Sequence, residues 1–156
     1  MQKDNIDYNT ISVIMITYGH EKFIRQAVEG VLMQKCNFNV ELIIANDASP
    51  DKTSDIVYDI IKTNPNANRI KYINRDKNIG GQNNFKDAFE QCKGKYIAHC
   101  EGDDYWTDPC KLQKQIDFLE TNPDYVLTFH KIKILQPNGI LVDDFITKIP
   151  ENYQTI

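Results

Sequence analysis

The sequence predicts an α/β fold: a mostly parallel sheet with helices on both faces. Three observations carry this. Short apolar runs alternate four times with segments whose apolar residues recur at helical spacing. The runs are nearly continuous rather than alternating, as in strands covered on both faces. Each run also stops at a polar cluster, and in a parallel sheet such clusters gather at one edge, where ligands bind. At 156 residues the chain is long enough to bury one substantial core.

Ile11–Ile16 is the first strand, ending at Thr17-Tyr18-Gly19. Phe23, Ile24, Ala27, Val28, Val31 and Leu32 then recur at helical spacing over residues 20–34. Val40–Ala45 is the second strand and ends at Asn46-Asp47-Ala48-Ser49-Pro50-Asp51. Ser49 as N-cap with Pro50 at the first helical position predicts the next helix start, and Ile56, Val57, Ile60 and Ile61 form its buried stripe. Ile70–Ile73 is a weaker third strand. Its loop, residues 74–81, holds Gly80-Gly81 and feeds a helix packed through Phe85, Ala88, Phe89 and Cys92. Lys95–Cys100 is the fourth strand, expected to be buried. Asp108-Pro109 opens a further helix carrying Leu112, Ile116 and Leu119. A β-rich run over 125–135, a Pro137-Asn138-Gly139 turn and Ile140-Leu141-Val142 resemble a hairpin. Residues 143–156 are polar and give no clear element.

The fourth strand stops at Glu101-Gly102-Asp103-Asp104. Grouped carboxylates repel one another unless a cation sits among them, and Mg²⁺ or Mn²⁺ prefers such oxygen ligands, often shared with substrate phosphates. A solvated acidic turn is the plain alternative. Eighteen Lys and Arg against 22 Asp and Glu give a net charge of −4, which offers no general attraction to nucleic acid or anionic membranes. A phosphorylated ligand would then need a metal or backbone N–H groups. Four cysteines without C-x-x-C spacing argue against zinc and for free thiols in a reducing cytoplasm. No apolar run approaches the ~20 residues of a membrane span. The first strand lacks G-x-G-x-x-G, and there is no G-x-x-x-x-G-K-S/T loop, which argues against nicotinamide-type and P-loop sites.

Glu101-Gly102-Asp103-Asp104-Tyr105-Trp106, with Asn46-Asp47-Ala48-Ser49-Pro50-Asp51 and Asn78-Ile79-Gly80, resembles the nucleotide-sugar-binding part of family 2 glycosyltransferases. The resemblance runs from about Ile11 to Leu135. It implies the GT-A fold and an inverting, metal-dependent transfer of a sugar from a nucleotide-diphosphate donor to an acceptor hydroxyl, in cell-surface polysaccharide synthesis. The implied donor is UDP- or GDP-linked, the acceptor a saccharide or lipid-linked saccharide, and the cofactor Mn²⁺ or Mg²⁺. Carried over residue by residue, the resemblance has Thr17, Tyr18 and Glu21 at the nucleotide and Asp47 at the base. Asn78 and Gly80 line the nucleoside and sugar pocket, Asp103 ligates the metal, Glu101 lies near ribose or metal, and Asp104 orients the sugar. The first acid of the metal motif is Glu101 where the family has Asp; Gly19 stands where it often has Asn, and Ala48 and Pro50 where Gly and Thr are frequent.

Residues 1–142 are read as the nucleotide-sugar-binding domain and 143–156 as the start of an acceptor-binding half cut short. No residue is assigned as general base. The second reading is therefore a non-catalytic or truncated nucleotide-sugar-binding domain. The expected location is cytoplasmic, with peripheral association at the inner face of the membrane allowed for, and no nucleic-acid partner is expected.

Overall fold

A computed structural model of the chain describes residues 6–144. The expected polar tail from 145 onward lies outside the described residues. Two compact units divide between Gln113 and Lys114.

The first unit is built on four parallel strands: β1 (Asp7–Thr17), β2 (Asn39–Asn46), β3 (Ile70–Asn74) and β4 (Gly94–His99). Their spatial order is β3-β2-β1-β4. Between them run α1 (Ile24–Leu32), α2 (Thr53–Thr63) and α3 (Gly81–Glu90). Successive residues of a strand point to opposite faces, and the core divides accordingly. Val13, Met15, Leu42 and Ile44 pack with Ile24, Val28, Val31, Val57 and Ile60 from α1 and α2. Ile14, Ile43 and Ala45 pack on the opposite face with Ala88 of α3 and with Cys92, just beyond it. The central strands are therefore buried on both sides, as their unbroken apolar runs require.

The fourth strand departs from expectation. β4 lies at the sheet edge, and Lys95, Ile97 and His99 are exposed while Tyr96 and Ala98 are half-buried. A strand at the edge alternates because only one of its faces is well covered, and three consecutive apolar residues conceal that. His99 is exposed with its ring edge-on to Phe85, centroids 5.4 Å apart. Phe89 of α3 is likewise exposed, and buried Asn84 takes part of the inward role.

Helix starts also differ. α1 begins at Ile24 after a turn over residues 21–23. α2 begins at Thr53, so Ser49-Pro50 is not its cap. Ser49 instead donates through Oγ to Asn46 Oδ1 and accepts the Gly19 N–H at 3.0 Å. Asp51, two residues before the helix, accepts the Thr53 N–H at 3.0 Å. The whole 46–53 loop is thereby tied to the turn after β1.

Ala48 in this loop has φ 59°, a left-handed conformation that glycine adopts more readily. Left-handed geometry costs an L-residue ~1–2 kcal/mol. Glycine forfeits ~0.4–1 kcal/mol through its freer unfolded chain. Ala48→Gly is accordingly expected to stabilise the fold by about 0.5 kcal/mol, measured as a rise in denaturant midpoint; a fall in midpoint would contradict this.

At the opposite end of the sheet, Ser12 is fully buried, donates to Glu41 and accepts the Gly94 N–H at 2.8 Å. Glu41 in turn accepts the Lys93 N–H at 2.8 Å. This network fixes where β4 enters the sheet.

Helix α4 (Lys111–Thr121) crosses from the first unit into the second. Its start is held by buried Gln34, whose side chain donates to Asp108 O at 2.8 Å and accepts the Leu112 N–H at 3.1 Å. In the second unit, β5 (Lys133–Leu135) and β6 (Leu141–Asp143) form the expected antiparallel hairpin. The β-rich run is shorter than expected: residues 125–132 carry no strand, and Val126 and Leu127 are exposed. High β-propensity alone does not make a strand without a partner to complete its ladder.

Candidate functional site

The register of the sheet brings its polar strand ends together. Thr17 pairs with Asn46, and Asn46 with Asn74. The ladder continues past the strands, because Asp47 N–H donates to Thr17 O at 3.0 Å and Gly102 N–H to Ile16 O at 3.0 Å. A cleft opens over this edge, lined by Ile16, Thr17, Tyr18, His20, Asp47, Asn78, Gly80, Gly81, Asn84 and Glu101. Six residues singled out in the sequence are thus on one surface: Thr17, Tyr18, Asp47, Asn78, Gly80 and Glu101.

Asp47 is the structural hub of the cleft. Its carboxylate accepts the Ile79 N–H at 2.8 Å on Oδ1 and the Gly80 N–H at 2.9 Å on Oδ2, while its carbonyl accepts from Asn78 Nδ2 at 3.1 Å. Each carboxylate oxygen has a second lone pair, so the group can hold its own loop and still accept from a ligand. Gly80 sits at φ 85°, where a side chain would be strained. Behind the loop, buried Asn84 donates to Ala45 O at 2.8 Å and accepts from Arg75 Nε at 2.9 Å, and Arg75 pairs with Asp87. Asp47→Ala is expected to weaken nucleotide binding without changing its metal dependence, and to cost about 2 kcal/mol of stability through the released N–H groups. Calorimetric titration of wild type and variant with a nucleoside diphosphate checks this, and equal affinities would contradict it.

Glu21 is set apart from the cleft lining. Its carboxylate accepts the Lys52 N–H at 3.0 Å and its own N–H donates to Asp51 at 2.9 Å, so it ties the β1 turn to the start of α2.

The acidic turn borders the cleft through Glu101. The side chains of Glu101 and Asp103 are 49% and 47% exposed, open to an approaching ligand. Glu101 lies 4.0 Å from His99 Nε2, and Asp103 lies 3.8 Å from His20 Nε2. Burial, and next the charge of Asp103, push the Asp104 carboxyl above the usual carboxylate range; His99 and His20 oppose the shift. That mutual repulsion is what a bound cation would relieve. Among the described residues no three His, Cys, Asp or Glu side chains converge to enclose a cation. Mg²⁺ and Mn²⁺ do not need such a cage, since they are commonly held by one or two carboxylates with phosphate and water completing the shell. The hard oxygen donors of Asp103 and Glu101 fit that mode.

The residues behind the turn are packing groups. Trp106 is buried in the core with α1, so its role is that of a hydrophobic plug. A β carbon on Gly30 would lie 2.9 Å from both Trp106 N and Trp106 O, which is why the helix carries glycine there. Lys111 is not a solvated lysine: Nζ lies over the Trp106 ring, 3.8 Å from its centroid, and burial lowers its pKa to about 8. The Cys100 thiol is pushed up to about 12, first by burial and next by Asp104, as suits an inert core filler. None of the four cysteines is joined in a disulfide.

The cleft lining also takes in His20, Asn84, Gly81 and Ile16, which the sequence does not mark out. His20 follows Thr17-Tyr18-Gly19 directly in sequence, and that adjacency is the one signal the sequence offers.

A family model described as "Glycosyl transferase family 2" matches residues 12–150. An uncharacterized protein of Mycobacterium tuberculosis is 41% identical over 135 residues, which is 86% of this chain and 38% of that protein. A UDP-Glc:α-D-GlcNAc-diphosphoundecaprenol β-1,3-glucosyltransferase of Escherichia coli is 35% identical over 111 residues, 71% of this chain and 41% of the relative. Among solved structures, Staphylococcus aureus TarS in complex with UDP superposes with a TM-score of 0.61 at 25% identity, covering 73% of this chain and 33% of TarS. The chain spans about two fifths of the length of these curated relatives.

Proposed function

Because the chain belongs to glycosyl transferase family 2, we propose that its strand-end cleft binds a nucleotide-diphosphate sugar and that the protein passes the sugar to an acceptor hydroxyl with inversion. The observation that carries this reading is the cleft itself, where Thr17, Tyr18, Asp47, Asn78, Gly80 and Glu101 line one surface beside an acidic turn. The UDP-Glc donor named for the E. coli relative and the UDP bound to TarS favour a uracil base; a GDP-linked donor is the other expected class.

In this reading Asp47 accepts from the base, Tyr18 and Thr17 flank the nucleoside, and Asn78 and Gly80 border ribose and sugar. Asp103, with Glu101, would hold Mn²⁺ or Mg²⁺. When bound, the cation offsets the negative charge that gathers on the leaving nucleoside diphosphate. Asp104 lies beside that position and orients the sugar. An inverting transfer also needs a base for the acceptor proton, and none of the described residues is assigned to it. The acceptor is a saccharide or lipid-linked saccharide, in keeping with the diphosphoundecaprenol-linked acceptor in the relative's name, and cell-surface polysaccharide synthesis is the fitting process. Among the described residues no helix is long and apolar enough to cross a membrane. We place the work at the cytoplasmic face of the membrane, where such acceptors are met.

The test is donor turnover. With UDP-glucose, UDP-N-acetylglucosamine or GDP-mannose, Mn²⁺ and a lipid-diphosphate sugar, the protein is expected to release nucleoside diphosphate and form a product of inverted anomeric configuration, read by NMR. Retained configuration would contradict the mechanism. Donor binding without release would instead favour the non-catalytic binding domain.

A further inference from the structure

Strand β2 runs apolar and fully buried from Leu42 to Ala45, and its last residue, Asn46, is polar and just as buried. A buried amide is costly unless its atoms are paired. Asn46 Nδ2 donates to Ser54 Oγ at 2.8 Å and to the Tyr72 hydroxyl at 3.0 Å, and lies 3.1 Å from Asn74 Oδ1. Asn46 Oδ1 accepts the Ser49 N–H at 3.1 Å and also the Ser49 hydroxyl. A backbone N–H can only donate, so the oxygen of the amide must face Ser49 and the nitrogen the two other hydroxyls. Those hydroxyls are placed to donate onward to Asn74 Oδ1, at 3.2 Å from Ser54 and 3.3 Å from Tyr72. The carboxamide is thus held in one orientation by α2, β3 and its own loop.

That fixed orientation reaches the cleft through Ser49. With its proton directed at Asn46, the Ser49 hydroxyl presents a lone pair to the Gly19 N–H, 3.0 Å away. Two further residues of the same loop region take N–H groups of the turn after β1: Thr53 Oγ1 that of His20 and Asp51 that of Glu21. Ser49 is the one bonded next to Tyr18. Asn46 for its part directly precedes Asp47, and Tyr18 and Asp47 both line the cleft.

We propose that Asn46 is a positioning residue for the base end of the cleft: its carboxamide orients Ser49, and Ser49 holds the turn that carries Tyr18 against the loop that carries Asp47. Asn46 touches no ligand in this arrangement. It acts on Tyr18 through two hydrogen bonds in series, Ser49 Oγ to Asn46 Oδ1 and Gly19 N to Ser49 Oγ. An apolar residue at position 46 would fill the space but leave the Ser49 hydroxyl free to turn away from Gly19. The consequence for nucleotide binding rests on the donor-site reading above; the relay from Asn46 to Gly19 does not.

The test begins without metal or nucleotide. In Asn46→Ala, or in Asn46→Val if the smaller residue does not fold, amide exchange of Gly19 is expected to quicken about 10-fold, while Met15 within β1 stays slow. Unchanged Gly19 exchange would overturn the relay. Titrations with UDP and with GDP, each with Mn²⁺ and well below the melting temperature of every variant, then read the effect on the cleft. In the Asn46 variant and in Ser49→Ala, at a partly exposed position, the tighter-bound nucleotide is expected to weaken about 10-fold. The preference between UDP and GDP should shrink with it, because the loss arises at the base. Ser49→Thr, which keeps the hydroxyl, should stay within about threefold of wild type. Variants that melt lower yet keep wild-type affinity and wild-type preference would show a structural role alone and overturn the positioning. Absence of binding of either nucleotide by wild type would contradict the donor site instead, and the Gly19 exchange would still decide the relay.

Discussion

Asp103→Ala is expected to remove the Mn²⁺-dependent part of nucleoside diphosphate binding, a loss of about 100-fold or ~2.7 kcal/mol. The expectation follows from charge. The chain carries −4 overall, the cleft lining holds no lysine or arginine among the described residues, and a diphosphate placed beside Glu101 and Asp104 meets repulsion. In the proposed reading, a divalent cation held by Asp103 would reverse the sign of that local field. Without the carboxylate the cation loses its protein anchor, and affinity falls to what the base and sugar contacts supply. Since the Asp103 side chain is 47% exposed, its removal should leave the melting temperature within about 2 °C of wild type, because exposed substitutions rarely exceed ~0.5 kcal/mol. Titration calorimetry with and without Mn²⁺ measures the effect directly. A variant that retains full metal dependence would show that Asp103 is not the anchor.

The second large effect concerns stability rather than binding. Gly94→Ala is expected to cost about 3 kcal/mol or more, a drop in melting temperature of roughly 10 °C. A β carbon at position 94 would lie 2.6 Å from both Ser12 N and Thr10 O, and 2.9 Å from Ser12 Oγ. The first two are backbone atoms of the neighbouring strand, which cannot retreat without opening the β1–β4 ladder. The third belongs to the Ser12–Glu41 network that seats β4. Gly81→Ala is the matched control, since a β carbon there meets nothing within 4 Å and position 81 opens α3. Thermal unfolding of the two variants should differ by most of the 10 °C; a Gly94→Ala shift under about 2 °C would contradict the packing account.

Much of this fold was legible because the central strands are buried on both faces. Val13 to Met15 and Leu42 to Ala45 are fully buried, and continuous apolar runs are the pattern such strands leave in a sequence. Strand ends are legible for the same reason, and the pattern alone gathers Thr17, Asn46, Asp47 and Glu101 at one edge. What escaped depended on contacts between segments distant in sequence. Ser49-Pro50 carries the chemistry of a helix cap, yet Ser49 bonds Asn46 and the Gly19 N–H, a partner 30 residues away. Tyr96-Ile97-Ala98 reads as buried, and only the strand order places β4 at an edge. Glu21 has the residue type of a ligand contact, and the hydrogen bond its carboxylate accepts from the Lys52 N–H, 31 residues away, leaves no mark in the sequence. The joining of Asp47 to Ile79 and Gly80, and of His20 to the acidic turn, likewise depends on two loops meeting.

The central claim is that this sheet edge is a metal-assisted nucleotide-sugar site, and thermal shift of the chain with UDP and GDP, each with Mn²⁺ and with chelator, tests it most directly. A ligand at ~100 times its Kd adds about 2.7 kcal/mol, a rise of roughly 5–10 °C. The account predicts such a rise with one nucleotide in Mn²⁺ and its loss on chelation. A folded protein whose melting temperature moves with neither nucleotide, in either condition, would contradict it.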